Sequence, residues 1–512
     1  MNPMLSRASA LITQTSFATV HDLFLERARA TPDASAIEFE GKVQSYAVLA
    51  DRARRLAAVL RARGVKQGDR VAILSENRPE YIEAELACAM CGAILACQNW
   101  RLAAGELGHC LALVAPVFAL VSQRSQKAFD GARPDGLVSL CFGAAYEDAL
   151  AKTEPGDVIR DADPESGLLI LYTSGTTGLP KGALISHRAQ IARMAAMQID
   201  CGVRRDDSFV AWAPMYHMAS SDQMLATLMS GGTVIVLDGP DVGAIVDAVQ
   251  SRSLGWLVMM PGPIGALIEE LRGRGSIGAN VACVGAMADL VPRKEITELT
   301  SLLQAPYVNS FGSTETGLPP ATAAMIPVGA AEFSLDKAIS TMCQVRLLGE
   351  DGVEVADGEP GEMAVRGPTL FSGYWANEAT NFKDFSGGWF RMGDLFRRNP
   401  DGTISFVDRA KYMIKSGGEN IYPAEIERVL LADPRIEEAA VVKREDDKWG
   451  EVPVAFIAAS EPLELDDIVA LCRGSLAGYK VPKDLRRIAL ADFPRSTSGK
   501  VQRHELEATL KE

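Results

Sequence analysis

The chain has 512 residues, 47% of them hydrophobic and 23% charged, ordinary globular usage with room for roughly two to four domains and a large core. Its formal net charge is −14 and no run of Lys or Arg exceeds three residues, which argues against nucleic acid or an anionic membrane as the main partner. An acidic chain that binds anions must do so with a local cluster of donors.

In chain order, "MNPMLSRASALITQ" lacks an apolar core and reads as no signal peptide. "RVAILSEN" (70–77) reads as a strand, followed by a helix from Pro79. The apolar run "YIEAELACAMCGAILA" (81–96) reads as a packed helix. Cys88 and Cys91 form a CxxC inside it, but no second pair follows, so no metal site is read there. The nine cysteines are scattered and point to free thiols in a reducing, cytoplasmic compartment. "GLLIL" (167–171) and "GTVIVLDG" (232–239) read as buried strands, and "DVGAIVDAVQSR" (241–252) as a helix. "LVMMPGPIGALI" (257–268) comes nearest to a membrane span, but two prolines and two glycines interrupt it. Alternating strands and helices from about residue 20 to 340 imply layered α/β architecture with largely parallel sheets.

The texture then changes. "MCQVRLL", "GEMAVRG" and "TISFVDR" are short strands punctuated by Asp351-Gly352, Asp357-Gly358 and Asp401-Gly402, a turn density that suggests a small antiparallel β unit over about 341–408. After it, "AEIERVLLAD", "EEAAVVKRE", "VPVAFIAA" and "DDIVALCRGSL" alternate as a separate small α+β domain. The boundary is placed in the charged, glycine-flanked segment 409–411. The expected division is an N-terminal domain over 1–408, a joint at 409–411 and a C-terminal domain over 412–512.

"YTSGTTGLPKGA" (172–183) follows the strand "GLLIL". Its glycines let the backbone approach an anion, its hydroxyls and N–H groups donate, and Lys181 supplies charge. It is not a Walker A loop, because Lys181 follows Pro180 and precedes Gly182. "STSGKVQR" also fails, with Val501 after Lys500 and Pro494 where the first glycine belongs. Taken alone, either loop is as readily a structural turn.

They are joined in order by "NSFGSTETG" (309–317), "GGWFRMGDL" (387–395), "DRAKYMIKSGGENIYPAEIE" (408–427) and "PRSTSGKVQR" (494–503). Together these resemble the adenylate-forming superfamily of acyl-CoA synthetases, adenylation domains and firefly luciferase. "GVKQGDRVAILSENRPEY" and "APMYHMAS" extend the likeness over nearly the whole chain. The resemblance implies a large N-terminal domain of layered αβ sheets with a small β-barrel subdomain, and a smaller mobile α+β C-terminal domain. It implies ATP and coenzyme A as co-substrates and Mg2+ as cofactor.

By resemblance, Thr173, Ser174, Gly175, Thr176, Thr177 and Lys181 cradle the β and γ phosphates. Asn309, Ser310 and Phe311 contact the nucleotide, with Phe311 stacking on adenine. Thr314 bonds the α-phosphate, and Glu315 helps hold magnesium, a hard cation that takes carboxylate oxygen. Asp394 and Arg409 grip the ribose. Lys500 stabilises charge developing on the α-phosphate and carboxylate. Lys411 stands at the hinge about which the small domain rotates between half-reactions, and Gly418 lines the thiol's approach. His217 stands at the acyl-pocket wall, against a competing reading as a packed histidine. His21, His109, His187 and His504 fall outside the motifs and receive no role.

"VGAMADL" (284–290) and "YHMASSDQ" match segments lining the acyl pocket. Gly285, Ala286, Ala288, Ala219 and Ser220 are small, so a roomy pocket is expected, made apolar by Met218 and Met287. Neither segment offers a cation for a second carboxylate, and no aspartate follows Tyr216 to hold an amino group. A medium-chain, aryl or alicyclic monocarboxylate fits best. Coenzyme A is the favoured acceptor, since no carrier domain follows residue 512. The alternatives are an acyl-AMP ligase that loads a carrier protein and a non-catalytic nucleotide sensor. A homodimer is kept open as the assembly.

Overall fold

The computed structural model describes residues 15–159, 162–173, 179–275, 280–416, 419–473, 476–495 and 501–510. They fall into two compact units: Met1–Gln344 with Arg366–Gly388, and Val345–Val365 with Trp389–Glu512.

Among the described residues, the first unit holds three larger sheets and one two-stranded hairpin. The largest runs Ser139–Cys141, Phe118–Val121, Arg70–Leu74, Ile94–Cys97, Gly167–Thr173, Lys181–Ser186. All its pairings are parallel except the last, an antiparallel hairpin. Leu168, Leu169, Ile170 and Leu171 are all buried, as expected for a strand covered on both faces. A second sheet orders Lys42–Ser45, Ser35–Phe39, Val234–Val236 and Phe209–Ala211, and a third orders Leu254–Leu257, Val281–Val284, Tyr307–Val308 and Met325–Ile326.

Helices make the crossovers and begin where the sequence provides caps. Ser45, Ser186 and Asp241 each accept a backbone N–H in the first turn of the helices Tyr46–Ala62, His187–Cys201 and Val242–Ser251. The run 81–96 divides. Its helix, Pro79–Cys91, stops at Gly92, whose φ of +73° forms a left-handed cap, and Ile94–Cys97 is a strand.

In the second unit, Pro360–Arg366, Trp389–Arg398 and Ile404–Arg409 pair antiparallel, so the segment after 341 is β-rich as its turn dipeptides imply. Beyond it, Ile436–Asp446 and Gly450–Ala459 form a long antiparallel pair, with Asp484–Arg487 parallel to the latter. Alternate residues of that pair feed two cores. Val441 and Ile457 pack with Ile426, Leu430 and Ile468, whereas Val442 and Phe456 pack with Phe493 and Leu506. The expected joint at 409–411 lies inside this unit.

Candidate active site

In the first unit, Thr173 pairs with Lys181 across the mouth of the hairpin. The intervening Ser174, Gly175, Thr176 and Thr177 lie outside the described residues. Thr173 Oγ1 is buried and has no hydrogen-bond partner among the described residues. The Lys181 ammonium stands 3.8 Å from the centre of the Tyr374 ring, a cation over a π face. The Tyr374 hydroxyl in turn donates to Glu315 Oε1 at 2.7 Å. One tyrosine therefore touches both the loop lysine and the motif carboxylate.

Tyr374 is held from two sides. Its N–H donates to Asn381 Oδ1 at 2.7 Å, and it bridges to Ala183 beside the hairpin.

The "FGSTETG" segment is a tight hairpin, Phe311–Ser313 against Gly317–Ala321. Its glycines are required by contact: a Cβ on Gly312 would lie 2.1 Å from the Gly317 carbonyl oxygen. Gly317 has φ +77° and a Cβ there would meet the Arg193 side chain at 2.7 Å. Arg193, buried on the helix His187–Cys201, clamps the turn from beneath. It donates to the Thr314 carbonyl at 3.0 Å, to the Thr369 carbonyl at 3.0 Å and to Asp222 at 3.1 Å. Burial pushes the Asp222 carboxyl up, against the pull of Arg193. The Glu315 carbonyl accepts the Phe371 N–H at 2.8 Å, which leaves the side chains of Thr314 and Glu315 half-exposed.

His217 caps the helix Met218–Ser230, with Nδ1 accepting the Ala219 N–H at 3.2 Å. That bond favours the tautomer with its proton on Nε2. Ser220 spends its hydroxyl on the Ala213 carbonyl at 2.7 Å. Ala219, Ser220, Ala286 and Ala288 are all buried. The cavity beside Met218 and Ala219, closed by Met194, Met197 and Trp256, measures about 20 Å³, space for a water.

The turn after the strand Val281–Val284 is fixed by its backbone. The Gly285 carbonyl accepts Trp256 Nε1 at 2.8 Å and the Ala286 carbonyl accepts the Tyr307 hydroxyl at 3.0 Å. Met287 has φ +48° and donates its N–H to Ser310 Oγ at 3.4 Å. Met287 is thereby tied to Ser310, the second residue of the "NSFGSTETG" segment.

Three of the histidines outside the motifs have partners in the fold. His21 and His187 meet edge to face at 5.7 Å, and burial drives His187 down to about 3. His109 reaches the Pro180 carbonyl at 3.2 Å.

In the second unit, Asp394 and Arg409 are register partners on adjacent strands, and Arg409 Nε donates to Asp394 Oδ1 at 3.0 Å. Lys411 lies in the 3-10 turn Ala410–Tyr412, its ammonium 4.7 Å from the Tyr412 ring centre. Asp408 was not singled out in the sequence. It accepts the Ala424 N–H at 2.8 Å, near the start of the helix Pro423–Leu430. Burial raises its carboxyl above the ordinary range, with Arg503 opposing. Gly418 and Lys500 lie outside the described residues.

Among the described residues, no group of three or more His, Cys, Asp or Glu could hold a metal ion, and no helix is long and apolar enough to cross a membrane.

Residues 24–375 match the family described as AMP-binding enzyme, and residues 425–500 match the AMP-binding enzyme C-terminal domain. An indoleacetate–CoA ligase of Aromatoleum aromaticum is 36% identical over 493 residues, 93% of this chain and 95% of that protein. A feruloyl-CoA synthase of Amycolatopsis is 34% identical, covering 94% and 97%. Among solved structures, the o-succinylbenzoate CoA synthetase of Bacillus subtilis in complex with its acyl-adenylate intermediate matches with a TM-score of 0.82 at 25% identity, covering 95% and 97%. ATP-bound MatB of Rhodopseudomonas palustris matches with a TM-score of 0.83 at 26% identity, covering 97% and 99%. The chain belongs to the AMP-binding enzyme family, the adenylate-forming superfamily that its ordered motifs resemble.

Proposed function

We propose that the chain is an ATP-dependent acid–CoA ligase acting on an aryl or related apolar monocarboxylate. The observation that carries this reading is the convergence of Lys181 and Glu315 on Tyr374. On this reading the lysine proposed for phosphate and the carboxylate proposed for Mg2+ meet on one side chain. A sensor that only bound nucleotide would have no use for a metal carboxylate held in place.

A carboxylate is a poor electrophile. Its oxygen attacks the α-phosphorus of ATP, forming the acyl–O–P bond while the bond to pyrophosphate breaks. Phosphoryl transfer asks the protein for positioning and charge neutralisation more than for covalent chemistry. Lys181 and the loop after Thr173 take the β and γ phosphates. The Thr173 hydroxyl, buried without a partner among the described residues, supports this, since a buried donor left unsatisfied costs about 1–3 kcal/mol and a ligand could satisfy it.

Thr314 faces the α-phosphate on a turn that Arg193 holds still. Glu315 fits Mg2+, which commonly takes one or two carboxylates together with substrate phosphates; one of its oxygens accepts from Tyr374 and the other remains to ligate. The ion neutralises phosphate charge when bound. Asp394 and Arg409 take the ribose, and Lys500 the oxygens at the reacting phosphorus. In the second half-reaction the CoA thiol, arriving past Gly418, attacks the acyl carbon and AMP leaves. His217, Met218 and the turn Gly285–Met287 bound the acyl group.

Aryl acids are favoured because relatives of near-full coverage are named for indoleacetate and ferulate. A reducing, cytoplasmic setting is supported by nine unpaired thiols.

The test is pyrophosphate release with ATP and Mg2+ across indoleacetate, ferulate, benzoate, cyclohexanecarboxylate, octanoate and malonate, each with and without CoA. Release that depends on an aryl monocarboxylate, with a CoA thioester as product, supports the reading. Nucleotide binding without release for any acid would favour the sensor.

A further inference from the structure

Lys337 is one of the largest fully buried side chains of the molecule, and no motif contains it. Its ammonium donates to Asp289 Oδ2 at 2.5 Å, Asn309 Oδ1 at 2.8 Å and the Leu335 carbonyl at 3.3 Å. An ammonium has three N–H donors and no acceptor, so all its capacity is used. The partners come from different places. Asp289 lies in the 3-10 turn just after Met287, and Asn309 opens the "NSFGSTETG" segment.

A lysine buried beside a partly exposed carboxylate is a poor way to gain stability, because an apolar residue of similar volume often does as well. What a lysine does here that a methionine cannot is impose polarity on a carboxamide. The Asn309 amide presents an acceptor at one end and donors at the other. A cation that can only donate forces Oδ1 toward itself. Nδ2 is then turned to the Asp336 carbonyl, to which it donates at 2.9 Å. The orientation follows from the network and is not arbitrary. Asp289 supplies the countercharge from the turn after Val281–Val284, whose Met287 N–H is already bonded to Ser310.

We propose that Lys337 is a positioning residue that fixes the donor and acceptor polarity of Asn309, and through it the base selectivity of the nucleotide site, with Asp289 as its anchor. The inference rests on the reading of Asn309 to Phe311 as the nucleotide-contacting segment. AMP carries an amino donor at C6 and an acceptor at N1, whereas IMP carries an oxo acceptor at C6 and a donor at N1. A site of fixed polarity separates these two; a site whose amide can turn does not.

The experiment is calorimetric titration of the full chain with AMP and with IMP, in the wild type, Lys337→Met and Asp289→Asn. The wild type should prefer AMP by at least about tenfold, as sites built to hydrogen-bond one pattern reject its inverse. In Lys337→Met the preference should fall to within about threefold, chiefly through weaker AMP binding. Asp289→Asn, which leaves Lys337 without its countercharge, should move the ratio the same way. A merely structural lysine would weaken both nucleotides alike and leave the ratio unchanged. A folded Lys337→Met with the wild-type ratio overturns the proposal, and if that variant does not fold, an unchanged ratio in Asp289→Asn does so. Equal binding of AMP and IMP by the wild type overturns it while sparing the ligase reading. Binding of neither overturns both.

Discussion

The Tyr374 hydroxyl donates to Glu315 Oε1 at 2.7 Å, from the same ring that lies 3.8 Å beneath the Lys181 ammonium. A hydrogen bond to a charged group contributes about 1.5–3 kcal/mol, and here it aims the carboxylate assigned to Mg2+. Tyr374→Phe keeps the ring under Lys181 and removes that bond. Acid-dependent pyrophosphate release should fall by roughly one to two decades, because each 1.36 kcal/mol is tenfold in rate. The Mg2+ concentration for half-maximal rate should rise, with little change in thermal stability. An unchanged Mg2+ dependence would mean that Glu315 does not bind the metal.

Lys500 is expected to act in adenylation alone. Lys500→Ala should abolish acyl-AMP formation yet spare thioester formation from supplied acyl-AMP. Losing a donor aimed at developing charge costs about 2.7–4 kcal/mol. Equal losses in the two half-reactions would assign it a different role.

The proposed joint at 409–411 makes a further demand. One active site must carry out phosphoryl chemistry and then admit a thiol. Ala410–Tyr412 is a single 3-10 turn, flanked by Asp408 holding the Ala424 N–H. Proline at 411 locks φ near about −65° and restricts residue 410 as well. Lys411→Pro should leave pyrophosphate exchange within roughly tenfold of wild type, while overall CoA ligation falls by orders of magnitude. A parallel fall in both rates would remove the joint from the hinge role.

Glu85 offers a stability test at a residue with no assigned role in the chemistry. It is fully buried on the helix Pro79–Cys91, and neither carboxylate oxygen has a partner among the described residues. Burial, and then the Asp222 charge, hold its carboxyl well above the ordinary 4.5. A carboxyl raised by folding costs nothing while both states are protonated. The cost appears as pH climbs above about 4.5, where the unfolded chain releases the proton and the folded chain must keep it. Glu85→Leu should therefore raise the thermal midpoint, with a larger gain at pH 8 than at pH 5. The size should be roughly 1–3 kcal/mol, the penalty of an unmade buried hydrogen bond. A variant less stable than wild type at pH 8 contradicts this.

Strand and helix alternation could be read from apolar periodicity, and the Asp-Gly turns marked the β-rich segment, because these are local signals. The end of the helix at Cys91 was not legible. An apolar run has the same texture in a buried helix and a buried strand, and only the left-handed Gly92 separates them.

Within the candidate site, the motifs could be read from the sequence, but the side chains that pack against them could not. Tyr374 meets Glu315 across 59 residues, and Arg193 meets the Thr314 carbonyl across 121; no local pattern encodes such pairings. Gly285 shows how a small residue misleads. It reads as room for substrate, yet a Cβ there would lie 2.1 Å from Tyr307 ring atoms, at a φ of +79°. Any larger residue at 285 thus strains the fold before it reaches an acyl group.

The central claim is that the acid's own oxygen attacks the α-phosphorus of ATP. It is tested by running the complete reaction with a carboxylate-18O-labelled aryl acid, ATP, Mg2+ and CoA, and weighing the products by mass spectrometry. Attack at the α-phosphorus followed by thiolysis at the acyl carbon leaves that oxygen on AMP. The account predicts one 18O in AMP and none in pyrophosphate. Label in pyrophosphate or phosphate, or a CoA thioester formed with unlabelled AMP, would contradict it.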